Sequence, residues 1–223
     1  MSGIFALIGD PWTETFMQRA FLAGLAAAVA CAVVGTFVVL RGMAFIGDAI
    51  AHSVFPGVAI GYVLGINLAV GGAIAGLLMA LVMAAASRNR RLKEDAAIGV
   101  FFAFAFALGI VIVSTQQSYT GDLASFLFGQ ILGISDQDVV VGVVTAVLLV
   151  SVTLAVRKEL VAVILDRETA AALGLRVPRW DMLLYVLVAL AIVISLPAVG
   201  NILVLALLVT PAAAARMVTT GSA

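Results

Sequence analysis

The sequence predicts an all-α protein, a polytopic transmembrane helix bundle in which residues 1–223 form a single transmembrane domain. Hydrophobic residues make up 64% of the chain and charged residues 11%, whereas soluble domains carry about a quarter charged residues. The mean hydropathy is +1.25, and several apolar runs reach the roughly 20 residues that a membrane-spanning helix needs. Since no polar stretch is long enough to separate two domains, we expect one.

The charge-free runs predict about seven spans. The first five cover residues 21–40, 42–64, 68–86, 96–113 and 139–156. Residues 182–215 carry no charge, and at about 1.5 Å per residue this run is too long for one span. Pro197 and the pair Gly200 and Asn201 interrupt the run, so we expect a sixth and a seventh helix joined by a tight turn.

Two features of the predicted spans bear on packing and on the loops. Gly72, Gly76 and Ala80 recur every four residues in the third span, a spacing that lets a neighbouring helix approach closely. Residues 123–134 are apolar but too short to span, so we expect a short interfacial helix in the outer loop.

The basic residues predict the orientation, because loops rich in Lys and Arg stay in the cytoplasm. If the basic stretch at residues 88–95 is cytoplasmic, alternation of the spans places eleven of the twelve Lys and Arg residues inside. Only Arg19 then lies near the outer side. We therefore expect the N-terminus and the acidic loop at residues 114–138 to lie outside.

Asp48 and His52 are the candidate site. His52 is the one histidine of the chain, and Asp48 is the only carboxylate in a predicted span. Four residues apart on a helix, they share one face, and ionisable groups in a span are costly unless they serve a function. A carboxylate oxygen with an imidazole nitrogen suits Mn²⁺, Fe²⁺ or Zn²⁺. Pro56 cannot donate a hydrogen bond to the carbonyl of His52, which is thereby free for a ligand or water.

The alternative for this pair is structural: a hydrogen bond between Asp48 and His52 that fixes the packing of the helix, with Pro56 as a kink. The pair also supplies only two ligands. Other helices, a partner chain or water must complete the coordination of an ion.

The rest of the sequence argues against an enzyme. A phosphate-binding loop needs a GK pair followed by Ser or Thr, and the only lysines, Lys93 and Lys158, follow Leu92 and Arg157. There is no HExxH motif, and Cys31 is the single cysteine, which excludes a cysteine metal cluster. We therefore expect a transport subunit, with any ATP hydrolysis carried out by a separate chain.

The sequence resembles the membrane subunits of bacterial ABC importers for manganese, zinc and iron, the ABC-3 type. The most specific block is residues 16–61, which includes GDAIAHSVFPG with Asp48 and His52. Supporting blocks lie at residues 94–110, 126–135, 165–175 and 199–216. Members of the family are usually longer by one or more helices, so we expect the family's C-terminal helix or helices to be missing here.

The resemblance implies a permease that imports Mn²⁺, Zn²⁺ or Fe²⁺ by alternating access across the bacterial cytoplasmic membrane, with no permanently bound cofactor. It implies that Asp48 and His52 line the path of the ion. It also implies that a segment of the form D-x-x-x-A-x-x-x-G, here Asp166, Ala170 and Gly174, docks on the ATPase.

The implied partners are cytoplasmic ATPase subunits, an extracytoplasmic metal-binding protein, a second permease copy or paralogue and the lipid membrane, with no nucleic acid. Two other functions remain open from the residues alone. One is an ion-coupled secondary transporter that uses Asp48 and His52 as a relay, and the other is an accessory membrane subunit.

Overall fold

The computed structural model of the chain describes residues 14–43, 45–87, 94–115 and 128–220, and all regular structure within these ranges is helical. The prediction of an all-α helix bundle is therefore confirmed. The elements are α1 (Thr15–Arg41), α2 (Phe45–Val63), α3 (Leu68–Ala86), α4 (Glu94–Ser114), a 3₁₀ turn (Ile131–Gly133), α5 (Asp136–Ala155), α6 (Arg157–Leu165), α7 (Arg167–Ala172) and α8 (Val177–Thr220).

The number of spans differs from the expected seven. Among the described residues, five helices are long and apolar enough to cross a membrane, namely α1, α2, α3, α5 and α8, and α4 contributes a shorter apolar stretch, Ile98–Ser114. The expectation of seven is thus corrected to five or six. The physical reason is that the predicted sixth and seventh helices are the two halves of α8, which join at one non-helical residue without a loop and are therefore counted as one helix.

That residue is Gly200, with φ 70° and ψ 174°, a backbone conformation that glycine adopts readily and other residues avoid. The two halves of α8 both lie along α1. Asp181 in the first half pairs with Arg41 at the end of α1, and Arg216 in the second half donates a hydrogen bond to the carbonyl of Val39. Because both ends of α8 reach the same end of α1, the chain reverses direction near Gly200, where the sequence predicted a break.

Close helix contacts at glycines hold the bundle together. A Cβ added to Gly72 of α3 would lie 2.7 Å from Cγ1 of Val54 on α2, and one added to Gly76 would lie 3.1 Å from Cγ2 of the same valine. Both glycines and Ala80 are buried. The predicted small-residue face of this helix is confirmed, and α2 is the neighbour that approaches it.

Two predicted segments lie partly outside the described residues. Residues 88–93 of the basic stretch are outside them, as are residues 123–127 of the expected interfacial helix. The remainder of that segment holds the 3₁₀ turn Ile131–Gly133. The backbone N–H of Gln130 donates to the carbonyl of Pro197, so this part of the loop is attached to α8 beside its bend.

Candidate functional site

Asp48 and His52 stand out on α2 by their exposure. Between Ile46 and Ala59 they are the only two residues that are not buried. Their side chains are 35% and 22% exposed, and Nε2 of His52 lies 3.3 Å from Oδ1 of Asp48. The structure therefore brings the predicted pair together and leaves it partly exposed on an otherwise buried helix.

The local fold explains how this pair is held. α2 begins at Phe45, and Asp48 lies in its first turn, where the partial positive charge of the helix N-terminus favours a carboxylate. His52 follows one turn later, within reach of that carboxylate. Pro56 lies inside the same helix and is buried. The helix therefore continues past the proline, and the freed carbonyl of His52 stays a prediction.

The geometry of the pair fits a divalent cation. Two ligands that each bind an ion at about 2.1 Å, with an angle of 90–110° between them, lie about 3.0–3.4 Å apart, and the observed separation is 3.3 Å. In the described part of the chain, no group of three or more His, Cys, Asp or Glu side chains could hold an ion. Asp48 and His52 can thus supply two ligands, while the same distance also fits a direct ion pair.

Two phenylalanines of α4 hold the imidazole ring. Phe102 and Phe106 both make edge-to-face contacts with His52, at centroid distances of 4.9 Å and 5.2 Å, and their own rings are stacked at 6.2 Å. Sequence reasoning did not assign these phenylalanines to the site. Their spacing of four residues, which places both rings on one helix face, is the signal that was available.

Asn201 of α8 also contacts His52, and sequence reasoning treated it only as a helix breaker. Its Nδ2 lies 3.4 Å from Nδ1 of the imidazole. The residue is 3% exposed, and its Oδ1 is buried without a hydrogen-bond partner. An amide within a long charge-free run was the sequence signal, since polar groups in spans are seldom incidental.

The second predicted set, Asp166, Ala170 and Gly174, surrounds α7. Asp166 is the N-cap and accepts hydrogen bonds from the backbone N–H groups of Glu168 and Thr169. Ala170 is buried. Gly174 has a φ of 85° and ends the helix in the left-handed conformation typical of helix C-termini. Each of the three positions therefore meets a requirement of the local fold.

The electrostatics of the cap follow from its hydrogen bonds. The hydroxyl of Thr169 donates to Oδ2 of Asp166 at 2.5 Å. This bond, followed by the backbone hydrogen bonds, lowers the pKa of the Asp166 carboxyl below its ordinary value. The carboxylate is thus ionised at neutral pH and holds the first turn of α7.

An ion network joins this segment to the membrane helices. Asp181, near the start of α8, is buried with its side chain 3% exposed. Its Oδ1 accepts a hydrogen bond of 2.6 Å from Arg41, and its Oδ2 accepts one of 2.6 Å from Arg167 of α7. The carboxylate therefore links three helices: α1, α7 and α8.

A cavity of about 320 Å³ lies elsewhere, between α2, α3 and α8. Gln130, which precedes the 3₁₀ turn, and Asp138 of α5 also line it. Neither Asp48 nor His52 is among its lining residues. The cavity is therefore separate from the candidate site.

Comparison with known proteins identifies the family. The model of the ABC 3 transport family matches residues 13–222 of the chain. The chain belongs to the ABC 3 transport family. Together with its apolar helices, this membership makes it a multi-pass membrane protein.

Curated relatives and a solved structure agree with the ABC 3 assignment. The manganese transport system membrane protein MntC of Listeria monocytogenes is 38% identical over 205 residues, which is 92% of this chain and 73% of the relative. The chelated iron transport system membrane protein YfeD of Yersinia pestis is 37% identical over 218 residues, 98% of this chain and 73% of that protein. The structure of PsaBC from Streptococcus pneumoniae in complex with Fab superposes with a TM-score of 0.82 at 34% identity, covering 96% of this chain and 77% of that one.

Proposed function

We propose that this ABC 3 family member is the membrane-spanning subunit of an ATP-driven importer of divalent transition-metal ions. Asp48 and His52 lie on the path of the ion, and the opening alternates between the two sides of the bacterial cytoplasmic membrane. The cargo is Mn²⁺, Fe²⁺ or Zn²⁺, because a carboxylate and an imidazole suit all three. The names of MntC and YfeD, a manganese and a chelated-iron transport protein, support this cargo class.

The observation that carries the proposal is the exposure of the pair. Between Ile46 and Ala59 every other residue of the helix is buried, and only Asp48 and His52 are partly exposed. Placing a carboxylate and an imidazole in a membrane span is unfavourable unless the two groups face water or a passing ion. Their 3.3 Å separation supports shared binding of one cation.

The coupling to ATP is proposed for the segment around α7. Leu165 and Leu173 flank this short helix and are 74% and 75% exposed, although neither lies in one of the spanning helices. Exposed apolar side chains of this kind are suited to a protein contact. We assign Asp166, Ala170 and Gly174 to the docking of a cytoplasmic ATPase subunit, with Arg167 and Asp181 connecting the docked segment to the bundle.

The remaining partners follow from the same proposal. An extracytoplasmic metal-binding protein delivers the ion, and a second permease copy or a paralogue completes the path, since the described part of this chain offers two ligands. The N-terminus lies outside, which keeps Arg41, α6, α7 and Arg216 on the cytoplasmic side in accord with the distribution of basic residues.

The test is metal accumulation in cells that lack their other manganese importers. Asp48→Ala and His52→Ala are expected to abolish accumulation of radioactive Mn²⁺ while the protein remains at its normal level in the membrane. Asp136→Ala is the control, because this exposed carboxylate pairs with Arg19 near the start of α1, whereas α2 with Asp48 and His52 follows the other end of α1. Normal uptake by both site variants contradicts the proposal.

The same cells distinguish an ion-coupled secondary transporter. An uncoupler that collapses the proton gradient, applied while the ATP concentration is held constant, should leave the uptake intact. Uptake that collapses with the gradient assigns Asp48 and His52 to a proton or ion relay instead.

A further inference from the structure

A buried hydrogen bond links the bend of α8 to the imidazole of α2. Asn201 follows Gly200 directly, and its Nδ2 lies 3.4 Å from Nδ1 of His52. The other end of the carboxamide, Oδ1, is buried without a hydrogen-bond partner. Leaving a buried amide oxygen unsatisfied is unfavourable, and such groups in native structures call for an explanation.

The observed arrangement selects one protonation pattern of the ring. An amide nitrogen can only donate, so Nδ1 of His52 must offer a lone pair to Asn201. In the neutral ring the proton then sits on Nε2, which lies 3.3 Å from Oδ1 of Asp48. Each nitrogen of His52 therefore has a defined neighbour: Nδ1 accepts from Asn201, and the protonated Nε2 faces Oδ1 of Asp48.

A cation shared by Asp48 and His52 requires the opposite pattern. A metal ion binds a ring nitrogen through its lone pair, so Nε2 must lose its proton and Nδ1 must gain one. Metal-ligating histidines almost always donate this other N–H to an acceptor. The Nδ1–H bond then needs an oxygen where Nδ2 of Asn201 now lies.

The unpartnered Oδ1 of Asn201 can supply that oxygen. The terminal torsion of Asn is soft and roughly two-fold, so a half turn of the carboxamide exchanges Nδ2 for Oδ1 at the same position. The ring of His52 cannot adapt as easily, because Phe102 and Phe106 contact it edge-on at interplanar angles of 88° and 86°. The amide therefore turns while the imidazole stays in place.

We propose that Asn201 is a positioning residue that fixes the tautomer of His52 and reverses it when a divalent cation binds. The half turn of its carboxamide replaces a donor to Nδ1 with an acceptor from Nδ1–H. The ring releases the proton of Nε2 to water and takes up one from water at Nδ1, so its charge is unchanged. The partly exposed imidazole gives water access. The proposal rests on the proposed function for the presence of the cation at Asp48 and His52.

Asn201 acts through His52 and does not bind the ion. The in-plane lone pairs of the two ring nitrogens diverge, and Asn201 contacts Nδ1 while Asp48 contacts Nε2. An ion held between Asp48 and Nε2 is therefore on the far side of the ring from the carboxamide.

The single histidine of the chain makes the test direct. The full chain, purified from membranes with the subunits that accompany it and with ¹⁵N-histidine incorporated into this chain alone, is examined in lipid bilayers by solid-state NMR. Zn²⁺ is the probe, because it is diamagnetic and binds the same ligands. The ¹⁵N shifts distinguish protonated, unprotonated and metal-bound nitrogens, and Zn²⁺ affinity is measured by equilibrium dialysis.

In the unsubstituted protein we expect the proton on Nε2 without Zn²⁺, and with Zn²⁺ we expect the metal on Nε2 and the proton on Nδ1. Asn201→Leu removes the acceptor and should lower the Zn²⁺ affinity about 10–100-fold, while Asn201→Asp, which restores an acceptor, should recover it. If Asn201→Leu does not accumulate in the membrane, Asn201→Ser replaces it, because a serine hydroxyl is too short to reach Nδ1.

Ser195→Ala is the matched control. Ser195 is a buried polar residue of the same helix whose hydroxyl donates to the carbonyl of Ala191, so its removal should leave the Zn²⁺ affinity and the imidazole spectrum unchanged. An equal loss of affinity in this control, or no loss in Asn201→Leu, overturns the role of Asn201.

The failure of the proposed function gives a different result. If Zn²⁺ does not move the Nε2 signal of the unsubstituted protein, no cation binds at His52, and both proposals fall together. If Zn²⁺ binds Nε2 equally well with and without Asn201, the site stands and only the role of Asn201 is overturned.

Discussion

Arg167 of α7 donates a hydrogen bond of 2.6 Å to Asp181 of α8. The acceptor is almost completely buried, and its other oxygen accepts a hydrogen bond from Arg41 of α1. A short helix outside the spanning helices is thereby attached to the ends of two of them. If an ATPase subunit docks on α7, this contact is the direct route by which its movement reaches α1 and α8.

The two bonds of Asp181 should differ in what they contribute to stability. Asp181→Ala leaves the buried guanidinium of Arg41, whose side chain is 7% exposed, without its carboxylate, and loss of one partner of a buried pair costs about 3–5 kcal/mol. Arg167→Gln removes a half-exposed side chain and keeps the inner pair, so about 1 kcal/mol or less is expected. Thermal unfolding of the purified variants measures both, and equal melting temperatures would show that the buried pair is not stabilising.

The docking surface is tested by Leu173→Ser. The side chain is 75% exposed, so the free energy of unfolding should change by no more than about 0.5 kcal/mol, whereas co-purification of the ATPase subunit should fall. Leu132→Ser is the control, since this leucine of the 3₁₀ turn is 72% exposed and lies away from α7. Undiminished ATPase recovery with Leu173→Ser would place the docking surface elsewhere.

The cap at Asp166 predicts a pH dependence. Because the hydrogen bonds from Thr169 lower the pKa of this carboxyl, the capping contribution is present above the ordinary aspartate pKa of about 3.9. It is lost as the pH falls through the lowered value, where the carboxylate becomes protonated. Asp166→Ala should unravel α7 and weaken ATPase docking at neutral pH, whereas Asp166→Ser keeps a capping oxygen. Hydrogen exchange of the amides of Glu168 and Thr169 measures this, and equal protection in both variants would argue against the cap.

The contact of α1 with the second half of α8 depends on Gly35. A Cβ at this position would lie 1.8 Å from the carbonyl oxygen of Leu208, whereas a Cβ at Gly24 of the same helix would meet nothing within 4 Å. Gly35→Ala should therefore cost about 1–3 kcal/mol through overpacking, and Gly24→Ala should be neutral or stabilising by up to about 1 kcal/mol through helix propensity. Thermal unfolding compares the pair. Equal stability of the two variants would mean that α1 and α8 do not approach as closely as the structure shows.

Much of this architecture was predictable because it depends on local sequence. Charge-free runs fix the helices, and the conformational freedom of Gly200 marks the bend of α8. The number of spans was not predictable in the same way. Whether two halves of an apolar run are separated by a loop depends on how residues near Gly200 continue their hydrogen bonding, and apolar composition carries no information on that.

The candidate site was likewise predictable only in part. Asp48 and His52 were found because a separation of four residues on one helix determines their proximity. Phe102 and Asn201 reach His52 from α4 and α8, and the pairing of Arg41 with Asp181 joins residues far apart in the chain. Such contacts result from the packing of helices against one another, which a single sequence does not specify.

We propose that the ion passes between Asp48 and His52. The most direct measurement is the initial rate of ATP-driven Mn²⁺ uptake into proteoliposomes containing the assembled transporter, with ATP hydrolysis recorded in parallel. Asp48→Asn and His52→Gln keep the size of each side chain and remove its charge or its ring, and Asp136→Asn is the matched control. This proposal predicts that uptake in both site variants falls to the level seen without ATP, while the complex still assembles and hydrolyses ATP and the control transports normally. Uptake at the unsubstituted rate in both site variants would contradict it.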